Sequence, residues 1–226
     1  MSGGSEYRAS AADGLPARVS GAWAREKLEY LAKYMSIFNV GIKNKWERVY
    51  IDLMAGPGRC VEDDTGDEFD GSPLLAVNQK EPFTETVLVE GDAALAAALR
   101  QRVEGRATVV EADCNHTALI EQLRDRLGYG RLGLAFADNL GLDVTLATLL
   151  TLTQDRKVDL CITFQVGDLK RYQDNGWPRH LLEMQSASGG WRERGAPRRA
   201  AAALPCQSFF APSTTWGCSR QDPLPR

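Results

Sequence analysis

The chain has 226 residues, 43% of them apolar, enough to fill the core of one α/β domain with a tail. Its formal net charge of −3 provides no global basic field for nucleic acid. No apolar run reaches the roughly 18 residues of a membrane span and the first residues show no signal core, so a cytoplasmic protein without membrane contact is expected. Cys60, Cys114, Cys161, Cys206 and Cys218 are odd in number, far apart and without a C-x-x-C pair. They read as free thiols, not as a disulfide framework or a zinc site.

Residues 1–19, rich in Gly, Ser and Ala without periodicity, read as a flexible N-terminal segment. Residues 20–176 read as the main domain, and it opens on a helix. Leu28, Leu31, Met35, Phe38 and Ile42 recur at spacings of 3 and 4, one apolar stripe on a helix from about Ala22 to Ile42. Val49, Tyr50 and Ile51 then form a short buried strand closed by Asp52, and Ala55-Gly56-Pro57-Gly58 follows. Paired glycines allow positive φ or close backbone approach, although a Gly-x-Gly alone is also plain loop punctuation.

The run 62–70, EDDTGDEFD, reads as a solvated loop, or as a mobile flap that repels phosphate and attracts a basic group. It argues against a duplex-DNA contact at this edge and leaves nucleic acid open as a substrate. Ser72 at N-cap and Pro73 at N1 predict a helix to about Val77–Lys80. Strands over Thr86–Glu90, Ala107–Glu111, Gly133–Asp138 and Val158–Phe164 alternate with helices over Ala93–Val103, Thr117–Leu127 and Val144–Leu152. Apolar strands alternating with helices predict an α/β, doubly wound, mainly parallel Rossmann-like sheet.

That topology delivers Asp52, Glu90, Asp113 and Asp138 to one sheet edge. Glu90 at a strand end is placed for ribose hydroxyls or is an ordinary surface acid; Asp113 is placed for an adenine amino group, or Asp113 or Asn115 caps the next helix. A dinucleotide would bring two phosphates next to these acids, and the third glycine of G-x-G-x-x-G is replaced by Val61. S-adenosyl-L-methionine carries an ammonium and a sulfonium instead. On this reading Asp52 steers the ammonium end, Ala55, Gly56 and Gly58 admit the ligand to the backbone, Glu90 holds ribose and Asp113 adenine.

KLEYLAKY at 27–34, YIDLMAGPGR at 50–59, GSPLLAV at 71–77, VLVEGD at 87–92, and FADNLGLDV with DLCITFQVGDLKR together resemble the three-Cys-motif partner (TcmP) family, a bacterial group similar to class I methyltransferases. The resemblance covers about residues 23–172. It implies a cofactor-dependent methyl transfer to an unknown acceptor, an amino group being one candidate, with Asp138 and Asn139 orienting the nucleophile. Its other implication is a non-catalytic role beside a three-cysteine companion of the radical S-adenosylmethionine type. The family's Asp-Pro-aromatic-Gly corner is here Asp138-Asn139-Leu140-Gly141, and Leu140 cannot stack on a flat target.

Residues 177–226 change character. From Ser186 onward there are six Arg, no Lys, Val or Ile, and repeated Ala, Pro and Gly. This stretch reads as an irregular tail, disordered, frameshifted or an Arg-rich linker, and the C-terminal hairpin usual in class I methyltransferases is expected to be missing. The last parallel strand would then be a raw edge.

Overall fold

A computed structural model describes residues 6–138 and 143–163, and the backbone of 209–211. Two strands, β1 (Tyr7–Ala9) and β2 (Pro16–Ser20), precede helix α1 (Ala22–Ile42). Strand β3 (Glu47–Asp52) leads to the pair β4 (Arg59–Glu62) and β5 (Glu68–Asp70), and then to α2 (Ser72–Val77). The chain continues through β6 (Glu85–Glu90), α3 (Ala93–Val103), β7 (Thr108–Glu111), α4 (Thr117–Arg126), β8 (Arg131–Asp138), α5 (Leu146–Thr153), β9 (Val158–Thr163) and β10 (Phe209–Ala211).

The main sheet has the order β10-β9-β8-β3-β6-β7. Five strands are parallel and β10 alone is antiparallel. Counted along the chain from β3, this is the doubly wound order 3-2-1-4-5-6, which reverses between β3 and β8. Alternation along the strands feeds two cores. Tyr50, Leu88, Leu134 and Phe136 pack with Leu28, Leu31, Met35 and Phe38 of α1 and with residues of α2 and α3. Val49, Ile51, Val87, Val89, Ala135 and Ala137 pack on the opposite face with α4 and α5. Each fully buried aliphatic or aromatic side chain of this kind contributes about 1.5–3 kcal/mol before entropy is subtracted. The α1 stripe thus decides which face of the sheet that helix covers.

Four expectations need correction. The N-terminal segment forms β1 and β2, which join β4 and β5 in a second sheet of order β1-β2-β4-β5. The acidic run is a hairpin made by β4 and β5, and arginines of the same chain neutralise much of it. Arg8 pairs with Asp63, Arg25 with Glu62, and Arg59 with Glu68 and Asp70. Ser72 is the first residue of α2 and Gly71 holds the cap position without a side-chain cap; the Ser72 hydroxyl instead bonds Asp52. The tail supplies β10, whose Phe209, Phe210 and Ala211 lie opposite Ile162, Cys161 and Leu160. β9 is therefore paired over three residues by one antiparallel strand; other expectations for the tail, and Asn139 to Leu142, fall outside the described residues.

The two sheets meet at Arg102, whose side chain is only 4% exposed. Its Nε and Nη2 donate to the two Asp13 oxygens, both at 2.8 Å. Nη1 donates to the carbonyls of Pro16 (2.6 Å) and Pro57 (2.7 Å), and Nη2 also to that of Leu15 (3.2 Å). This guanidinium bonds Asp13 strongly enough to hold that carboxyl well below the usual carboxylate range. Removing one partner of a buried, fully bonded charge costs about 3–5 kcal/mol, and the partly exposed Asp13 places this case near the lower end. Arg102→Met should therefore lower the urea-unfolding free energy by about 3 kcal/mol; a loss below about 1 kcal/mol would mean that the N-terminal strands are held by other contacts.

Candidate functional site

Ligands of open α/β sheets sit outside the carboxyl ends of the strands where the order reverses. Here that point lies between Asp52, the last residue of β3, and Asp138, the last of β8. The chain leaving β3 is pinned one peptide at a time. The N–H of Leu53 bonds the Phe136 carbonyl at 2.9 Å, that of Met54 bonds Asp52 Oδ1 at 3.2 Å, and that of Ala55 bonds the Val89 carbonyl at 2.9 Å. The N–H of Gly56 donates to Glu90 Oε2 at 2.8 Å. Gly56 has φ +64 and Gly58 φ +89, so both need the freedom of glycine. At Gly58 a Cβ would also come within 3.0 Å of Leu99, whereas at Gly56 it would meet open space. The loop is tight against α3 at its second glycine and open to a ligand at its first.

Asp52 is completely buried. By strand alternation it shares the face of Tyr50, whose hydroxyl donates to Oδ2 at 3.1 Å. Burial pushes its carboxyl up to about 7, against hydrogen bonds from Ser72, the Met54 N–H and Tyr50 that favour the ionised form. Asp52 lies under the loop and lines neither of the hollows described next.

Ala55, Gly56, Gly58 and Asp138 line a hollow of about 110 Å³ with Lys27 and Trp23 of α1 and Arg18 and Ser20 of β2. Asp138 Oδ2 accepts from Lys27 Nζ at 2.5 Å and Oδ1 from Thr163 Oγ1 at 2.6 Å. Burial alone would raise the Asp138 carboxyl; Lys27 and Thr163 outweigh it and hold it below its ordinary value. Cys60, also in this wall, is pushed up to about 11 by burial and is not a thiolate at neutral pH.

Glu90 and Asp113 line a second, open hollow of about 420 Å³ with Gly91, Cys114, Asn115 and Asp143. Met54 borders both hollows. Glu90 spends one acceptor site on Gly56 and one on the Asp92 N–H (2.8 Å). Asp113 Oδ1 accepts from the Asn115 N–H at 2.8 Å. The alternative role for Asp113 or Asn115, a cap on α4, is not made: His116 stands at the cap position without a side-chain bond. Asn115 instead bonds the Asp143 carbonyl, the Thr145 N–H and the Thr148 hydroxyl, tying the loop after β7 to the start of α5.

The structure thus brings Glu90 and Asp113 together, sets Ala55, Gly56, Gly58 and Asp138 in an adjoining wall, and buries Asp52 beneath. Sequence reasoning missed Arg18, Ser20, Lys27 and Trp23. Lys27 and Trp23 sit off the apolar stripe that drew attention to α1, and residues 18 and 20 stand in a stretch whose composition reads as a lead-in. Among the described residues no group of three His, Cys, Asp or Glu side chains could hold a metal, and no helix is long and apolar enough to cross a membrane.

No protein-family model and no curated sequence matches the chain. Among solved structures it is similar to protein LPL1258 of Legionella pneumophila, at 14% identity over 69% of this chain and 73% of that one, with a TM-score of 0.49. It is also similar to a rRNA methylase of Streptococcus thermophilus (13% identity, 63% and 79% covered, TM-score 0.34). A third likeness is to the plantazolicin methyltransferase BamL in complex with SAH (10% identity, 67% and 50% covered, TM-score 0.39). Likenesses at this level leave the fold to rest on the strand order and the chemistry on the residues.

The raised Asp52 carboxyl gives a signed prediction. With a folded pKa about 7 above its unfolded value, Asp52 keeps its proton in the native state while the unfolded chain releases it. Its contribution to stability is therefore intact at low pH and falls as pH rises from about 4 to about 7. Asp52→Asn should lack this loss, so urea titrations should find the variant gaining on the wild type across that window by a few kcal/mol in order of magnitude. A pH-independent difference would contradict the assignment.

Proposed function

We propose that the chain is a methyltransferase-like protein that binds S-adenosyl-L-methionine across the two hollows, with TcmP-type family membership. The observation that carries the reading is the Gly56 N–H held by the Glu90 carboxylate. A glycine loop that binds a diphosphate must offer its N–H groups to the anion. In this loop the N–H groups of residues 53–56 are all spent on protein acceptors, and the last acceptor is itself an anion. A phosphate charge about 4 Å from such a carboxylate would be opposed by roughly 4 kcal/mol near a protein surface. A ligand with cationic centres and ribose hydroxyls is favoured.

Glu90 keeps lone pairs for the ribose hydroxyls, while the bonds it accepts from the Gly56 and Asp92 N–H groups fix its rotamer. Asp113 faces the same hollow for the adenine amino group. The open space at Gly56 admits the amino-acid end, and Asp52, buried behind the loop, sets the loop's shape through the Met54 N–H. When bound, the cofactor supplies an electrophilic methyl group. Asp138 stands at the switch point to orient an acceptor, an amine being one candidate, for in-line transfer, with rate gained mainly by positioning.

A second reading keeps the ligand and drops the turnover: a non-catalytic partner of a three-cysteine, radical S-adenosylmethionine-type companion. Its specific support is that Lys27 and Thr163 already occupy the carboxylate that an acceptor would need.

Calorimetric titration with S-adenosylmethionine and with NAD tests the first claim. S-adenosylmethionine should bind, NAD should not, and Glu90→Ala should weaken the former by about tenfold or more. NAD binding alone would overturn the reading. Labelled methyl transfer to RNA, DNA or protein pools, lost in Asp138→Ala, would favour the enzyme over the partner.

A further inference from the structure

The N-terminal strands do more than cover the sheet edge. In the parallel pair of β2 with β4, Arg18 stands opposite Cys60 and Ser20 opposite Glu62, so alternation sends the side chains of 18 and 20 to one face. Both residues line the hollow beside Gly56. Among the described residues the cations in that lining are Arg18, Lys27 and Arg59, and the carboxylate is Asp138. Lys27 is matched by Asp138. Arg59 has Glu68 and Asp70, each at 3.6 Å. Arg18 is 19% exposed at its side chain, and its ion pair is with Glu6 at 3.5 Å, itself 60% exposed at the rim. The charge of Arg18 reaches inward to both Asp138 and Cys60.

A largely buried guanidinium whose ion-pair partner among the described residues is loose and solvated leaves strong donors underused. Beside it, the Ser20 hydroxyl oxygen is buried and has no hydrogen-bond partner among the described residues. Two donor groups on one face of a strand, in a hollow of about 110 Å³, suit a small planar oxyanion. The neighbouring Tyr7, opposite Arg18 in the pairing of β1 with β2, feels the charges of Glu90 and Asp92, so the same hairpin extends from this hollow toward the ribose end of the cleft.

We propose that Arg18, assisted by Ser20, anchors the carboxylate of the ligand's amino-acid end, making the N-terminal hairpin a ligand-specificity element of the cleft. This rests on the cofactor reading above and adds a second point of recognition remote from Glu90. The guanidinium supplies two parallel N–H donors to the carboxylate and the hydroxyl a third.

Calorimetry on the full chain with S-adenosylhomocysteine and with 5′-methylthioadenosine, which lacks the amino-acid end, tests it. The wild type should prefer S-adenosylhomocysteine. Arg18→Gln should weaken that ligand by about tenfold or more, about 1.4 kcal/mol, and leave methylthioadenosine within about twofold. Arg18→Lys should restore part of the preference and Ser20→Ala should cost less than Arg18→Gln, with thermal unfolding reporting the fold of each variant. If Arg18→Gln does not fold, the Arg18→Lys and Ser20→Ala variants still give the ratio of the two affinities. Equal affinity of the wild type for both ligands, or a loss in the variants that is the same for both or absent for both, would overturn the proposal while leaving the cofactor reading in place. Failure of both ligands to bind the wild type would overturn the proposal and the cofactor reading together.

Discussion

The cleft depends on one guanidinium. Arg102, on the last turn of α3, holds the carbonyl of Pro57 on one side and Asp13, Leu15 and Pro16 on the other. It joins the glycine loop of the main sheet to the strands that wall the neighbouring hollow. A charge so placed is stable only when its donors are filled, and filling them dictates where residues 13–16 must lie. The position of β2, and with it of Arg18 and Ser20, follows from that requirement. Gly58 next to it turns at φ +89 and leaves a Cβ only 3.0 Å from Leu99, so the chain beside the Pro57 carbonyl takes a shape that favours glycine.

The second constraint is the rigid exit from β3. Four consecutive N–H groups are bonded to Phe136, Asp52, Val89 and Glu90, so the loop has its shape before any ligand arrives. Preorganisation of this kind reduces the entropic cost of binding. It also bears on the sign of the site: an acid is the anchor of the loop, and the N–H groups of residues 53–56 are not open to a phosphate. Asp52 serves this arrangement from beneath as an acceptor for the Met54 N–H, in a pocket closed by Tyr50 and Ser72.

The parts written in local pattern were legible in the sequence. The 3-4 spacing of Leu28, Leu31, Met35 and Phe38 placed α1 at its observed bounds, and the apolar runs ending in Asp52, Glu90 and Asp138 marked the carboxyl edge of the sheet. Other parts depend on partners far away in the chain. β1 and β2 span three and five residues, too short to show a period, and they are fixed by Arg102, which lies 89 positions from Asp13. Ser72 reads as a cap because Ser before Pro commonly is one, yet a buried carboxylate 20 positions earlier claims its hydroxyl. The acidic run reads as solvated because its arginine partners, Arg8 and Arg25 among them, lie in or next to the segment that had no visible pattern.

The central claim is that one cationic adenosyl ligand spans both hollows, with its nucleoside between Glu90 and Asp113 and its amino-acid end beside Gly56. A crystal structure of the full chain grown with S-adenosylhomocysteine measures this directly. The account predicts ribose oxygens within hydrogen-bond distance of Glu90 and the amino-acid end in the hollow lined by Gly56 and Asp138. A nucleoside bound away from the carboxyl ends of β3, β6 and β7, or a diphosphate ligand seated on the Gly56 loop, would contradict it.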